Sequence, residues 1–79
     1  MKSVRDIFFA VLAMKRENVP LDKIGSRIIS LGHDNGFDDI RERGDIDHLE
    51  FTFQTGDVIL FDGSDWHHRR PIVLLERGA

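Results

Sequence analysis

The sequence contains no cysteine, a single tryptophan and only two prolines, Pro20 and Pro71. Without thiols there is neither a disulfide framework nor a thiolate zinc site. A chain of 79 residues buries a modest share of its surface and has a thin stability margin, so this one must rely on its apolar core or on association. Long apolar runs are missing as well. Ile7–Met14 is eight residues, against the roughly 20 that cross a bilayer, and no small-residue cleavage site follows it. The expectation is one cytoplasmic domain, residues 1–79, without membrane contact.

Catalytic signatures are equally scarce. There is no P-loop and no Gly-x-Gly-x-x-Gly pattern, and Ser26, Ser30 and Ser64 have no nucleophile elbow around them. Asp38 and Asp39 are sequence neighbours and cannot share a helix face. The chain reads as non-enzymatic and without a cofactor.

What is present is a folded composition, 41% apolar and 32% charged, with its charge unevenly placed. Residues 1–33 carry a formal +3, residues 34–68 carry −8, and residues 69–79 carry +2, for a net −3. An acidic centre between basic ends favours cationic partners there.

Ser3 is positioned to cap a helix, with Asp6 three residues on near the positive end of the dipole. Val4, Ile7, Phe8, Val11 and Leu12 follow at the spacing of one helical face, and the helix must stop before Pro20. A second helix starts at Pro20 or Leu21, with Leu21, Ile24, Ile28 and Leu31 on one face. Gly25 would let the first helix approach, and Gly32 would stop the second. His33–Gly36 reads as a turn, and Phe37–Arg43 as a short third helix ended by Gly44. The period then changes to two. His48–Gln54 alternates as a half-buried strand, Thr55–Asp57 makes a hairpin turn, Val58–Phe61 forms a second strand, and Ile72–Leu75 a third, entered through Pro71. The predicted class is α+β, with two to three N-terminal helices packed on a C-terminal three-stranded antiparallel sheet. The expected core is Val4, Ile7, Phe8, Val11, Leu12, Leu21, Ile24, Ile28, Leu31, Leu49, Phe51, Phe53, Ile59, Phe61, Val73 and Leu75.

The last two strands are apolar at every position, and a strand apolar on both faces is normally covered on both. Two helices cover one face. The second calls for another copy of the chain, a homodimer through the exposed sheet face, or for cover from the third helix and the 62–71 loop.

That loop, Asp62–Pro71, is the most unusual segment. Connections of this length are often functional, and it holds Trp66, His67, His68, Arg69 and Arg70, of which Trp and Arg are the types enriched at binding hot spots. With the acidic residues Asp38, Asp39, Glu42, Asp62 and Asp65 it makes a candidate protein-binding surface, as an inhibitor or adaptor would use for an Arg/Lys-rich partner.

Two resemblances offer alternatives. Three helices and a hairpin over residues 3–61, with Val19–Ile24 at the entry to the second helix, is similar to the winged-helix order of elements, which implies nucleic-acid binding. The segment that would hold the recognition helix, 34–47, has six acidic and two basic residues, and phosphate attraction supplies most non-specific DNA affinity. Gly56-Asp57, then Val58–Gly63 and His67, resembles the second half of the cupin motif pair, which implies a metal site. Here Asp62 replaces the usual proline, Pro71 the usual asparagine, and the His-x-His of the first motif is absent. His48, Glu50 and His67 would supply two histidines and a carboxylate.

Overall fold

In the computed structural model, which describes residues 1–45 and 47–71, Ser3 caps the first helix, α1 (Val4–Arg16). The Asp6 amide donates to Ser3 Oγ at 3.2 Å and the Ser3 amide donates to Asp6 Oδ2 at 3.1 Å. This reciprocal pair satisfies two otherwise orphaned donors of the first turn. The helix closes where Asn18 takes a φ of 59°, with the Val19 amide donating to the Met14 carbonyl at 3.0 Å.

The second helix, α2 (Leu21–Asp34), runs past Gly32. Its stop is Asn35–Gly36 instead: the Gly36 amide donates to the His33 carbonyl at 3.2 Å and the Phe37 amide to the Gly32 carbonyl at 2.9 Å, the paired bonds of a Schellman cap. The cap drops Phe37 edge-on against Phe53, centroids 5.3 Å apart. Gly25 and Gly32 lie seven residues apart, two turns, and both face the sheet rather than α1. A Cβ on Gly25 would stand 3.3 Å from Phe51 Cζ, and one on Gly32 would collide with Ile40 Cδ1.

Among the described residues four strands follow: β1 (Ile40–Asp45), β2 (His48–Phe53), β3 (Val58–Phe61) and β4 (Trp66–Arg69). They pair antiparallel in the order β1-β2-β3-β4. Two expectations are corrected here. The third helix at 37–43 is strand β1, in register with β2 from Ile40↔Phe53 to Asp45↔His48. A seven-residue helix closes few hydrogen bonds after a costly nucleus, whereas the strand satisfies the whole edge of β2. The loop at 62–71 is a tight turn plus strand β4, with Phe61 opposite Trp66 and Val58 opposite Arg69. The winged-helix likeness, which needs three helices, ends with the first correction. The strand expected at Ile72–Leu75, with Val73 and Leu75 in the core, lies outside the described residues.

Register assigns the faces. Leu49, Phe51, Phe53, Ile59, Phe61, Trp66 and His68 point at the helices. Val4, Ile7, Val11, Ile24, Ile28, Phe51, Phe53, Ile59 and Trp66 make the buried cluster, with Phe8, Leu12, Leu21, Leu31, Leu49 and Phe61 packed partly buried around it. Trp66 is the member that the loop reading left out. On the far face Leu60 is also buried, between Glu50 and His67 in the neighbouring strands. Val58 and Leu60 are the apolar side chains that the described strands place there, among Arg41, Arg43, Glu50, His67 and Arg69.

Gly44, in β1, has a φ of +113°, and a Cβ there would run into the His48 carbonyl oxygen. Gly44→Ala is expected to destabilise the chain by about 1–3 kcal/mol, read as a lower urea midpoint at unchanged slope.

Candidate functional site

Beside α2 the sheet is incompletely covered. Gly32 brings the end of α2 onto Ile40, and beyond that residue β1 is exposed through to Asp45. The result is a cleft of about 800 Å³ between the first half of α2 and the β1–β2 hairpin. Leu21, Gly25 and Ile29, four residues apart on one helical stripe, form one wall with Leu49 opposite. Gly25 and Gly44 line it with backbone alone. Asp22 and Ser26 line it from the helix, Glu42 and Asp45 from the strand. Glu42 stands opposite Phe51 in the register and therefore faces the helices. Asp45 pairs with His48 on the far face, so the carboxylates turned to the cleft are those of Asp22 and Glu42, over an apolar floor. A volume of this size lies in the range of ligand and side-chain pockets.

The residues singled out from the sequence do not share one surface. Asp38 and Asp39 lead into β1 at one end of the sheet, where the Asp39 amide donates to Gln54 Oε1 at 2.9 Å and Arg41 Nε reaches Asp39 at 3.4 Å. Asp62 and Asp65 lie in the β3–β4 turn, at the other end. Glu42 alone of the set enters the cleft. Trp66, expected as a surface contact, is a core residue 4% exposed, with Phe61 at 5.3 Å and Phe51 at 6.4 Å between centroids. His67 and His68 point to opposite faces. His67 Nε2 is 2.8 Å from Asp62 Oδ2. His68 Nε2 is 2.8 Å from Asp57 Oδ1, with its ring 5.6 Å from Phe8. This second pair is nearly buried, pinning the end of β4 to the β2–β3 turn, and Thr55 donates to the same carboxylate. Arg69 and Arg70 are exposed.

The basic residues are scattered too. Lys15 Nζ reaches Asp65 at 3.0 Å at one end of β4, while Arg69 and Arg70 lie at the other, and Lys23 and Arg27 project from α2. Nor is a metal centre assembled. His48, Glu50 and His67 share the far face, but Leu60 separates Glu50 from His67 in the register, and His67 is held by Asp62. Among the described residues no group of three His, Cys, Asp or Glu side chains is placed to hold a metal ion. No helix among them is long and apolar enough to cross a membrane.

Of the cleft residues only Glu42 was singled out in the sequence as a binding residue; Leu21 and Leu49 were expected in the core and Gly25 against the first helix. In comparisons with known proteins the chain matches no family model, and no curated protein and no solved structure is significantly similar to it.

Next to the cleft end of the sheet, Asp62 organises the β3–β4 turn. Its Oδ1 accepts from the Asp65 amide, the Ser64 amide and the Ser64 hydroxyl, each at 2.9 Å. The Asp65 and Ser64 donors, with His67 on the other oxygen, hold the Asp62 carboxyl well below the usual carboxylate range. Asp65 is lowered as well, first by Lys15 and then by the Trp66 amide. A depressed folded-state pKa stabilises above the unfolded value and ceases to as the pH falls through the folded one. The gap in urea stability between the wild type and Asp62→Ala is therefore expected to be widest near neutrality and to narrow below about pH 4. A gap that stays constant down to the acid limit would contradict this.

Proposed function

We propose that the chain is a non-catalytic interaction module whose cleft between α2 and β1–β2 takes a basic, apolar segment of a partner protein. One observation carries this reading: an apolar floor of Leu21, Ile29 and Leu49 lies between the carboxylates of Asp22 and Glu42, with no basic residue in the lining. Apolar area supplies affinity. Carboxylates at the edge select lysine and arginine and repel phosphate, so they set specificity and encounter rate. A helix with apolar side chains at i, i+4 and flanking cations matches that arrangement. An adaptor and an inhibitor would both use such a cleft. The site moves from the acidic stretch and the 62–71 segment, as read in the sequence, to a place where Glu42 from that stretch meets Asp22 from α2.

The reading is tested with a synthetic amphipathic helix of leucine and lysine, titrated by fluorescence anisotropy. Binding is expected at low salt and should weaken steeply as salt is raised. Asp22→Lys and Glu42→Lys should each reduce affinity about tenfold or more, and a leucine–glutamate helix should not bind. Both substituted side chains are exposed, so the variants leave the core intact. Equal affinity for wild type and the double reversal would rule the cleft out.

A further inference from the structure

The side of α1 turned away from the core carries the chemistry that the cleft is built to accept. Arg5, Phe9 and Arg16 lie at i, i+4 and i+11, which is one side of a helix after three turns. All three are exposed. Phe9 is 50% exposed, one of two large apolar side chains left so open among the described residues. The Arg5 guanidinium stands 5.4 Å from the Phe9 ring centroid. This is an apolar side chain between two cations, spread over about 16 Å of helix. The cleft is the converse, apolar ground between Asp22 and Glu42.

We infer that the cleft is occupied by the Arg5–Phe9–Arg16 side of α1 from a second copy of the chain. The inference rests on the reading of the cleft as a docking site for a basic, apolar segment. Phe9 enters over Leu21 and Leu49, and the two arginines meet the carboxylates at the edge. The complementarity is one of sign around an apolar centre, and arginine is among the residue types enriched at interface hot spots. The two halves of the contact are different surfaces of one molecule. Exchanged reciprocally about a two-fold axis, they close into an isologous dimer in which each copy supplies a helix and a cleft.

Sedimentation equilibrium of the full chain tests this. The wild type should move from the monomer mass towards twice that value as concentration rises at low salt, and back as salt is added. Phe9→Asp and Glu42→Lys should each weaken self-association about tenfold or more. Neither residue is in the core. Phe9→Asp keeps an intact cleft and Glu42→Lys an intact helix surface, so an equimolar mixture of the two should recover association through one good contact. A wild type that stays monomeric at the highest concentration overturns the inference, as does a Phe9→Asp chain that associates like the wild type or a mixture that recovers nothing. If the monomeric wild type still binds the leucine–lysine helix, only the second copy as occupant is overturned. If that helix fails to bind as well, the reading of the cleft falls with it.

Discussion

The fold depends on how closely α2 lies on the sheet. At Gly25 and Gly32 the helix has no side chains, and Phe51, Phe53 and Ile40 fill the space that Cβ atoms would need. Two glycines inside a helix cost about 1 kcal/mol each relative to alanine, which the sheet-facing packing offsets. Where the approach is closest, Phe51 is fully buried and Ile40 half-buried. Past Ile40 the helix no longer covers β1, and the uncovered remainder is the cleft. Core and candidate site thus follow from the same helix position.

The helices and the middle strands were legible in the sequence because each is marked by residues that act locally. Ser3 and Asp6 form the cap that their spacing predicts, the apolar stripes of α1 and α2 face inward, and Leu49, Phe51 and Phe53 alternate as a half-buried strand should. The outer two of the described strands, β1 and β4, were not legible. In β1 only Ile40 is apolar, so nothing in Ile40–Asp45 alternates visibly, and the separation of Phe37 and Ile40 imitates one helical turn. In β4 the inward positions are Trp66 and His68. Histidine hides the period because its place on the inner face depends on Asp57 and Phe8, from elsewhere in the chain. Edge strands of natural sheets carry charge for a reason of their own, since bare apolar edges invite aggregation, and that charge erases the pattern by which a strand is read.

The candidate site was legible only in part for a related reason. Glu42 stood out within an acidic run, but the run is divided by the register: Asp38 and Asp39 go to one end of the sheet, Asp62 and Asp65 to the other. Asp22 and Glu42 are twenty positions apart and face a common space only because β1 folds back beside β2 under α2. A segment's total charge says little about a surface until its residues are assigned to faces. Trp66 shows the same limit, since its residue type suggested contact with a partner while its register position made it part of the core.

The Lys15–Asp65 pair joins the end of the first helix to the β3–β4 turn across fifty positions of chain, and Trp66 follows immediately. The lone indole is therefore lodged where the first helix and the β3–β4 turn close on each other. Its emission colour is a natural gauge of complete assembly: a chain whose helices have formed but whose final hairpin is undocked would glow at the wavelength of wet indole.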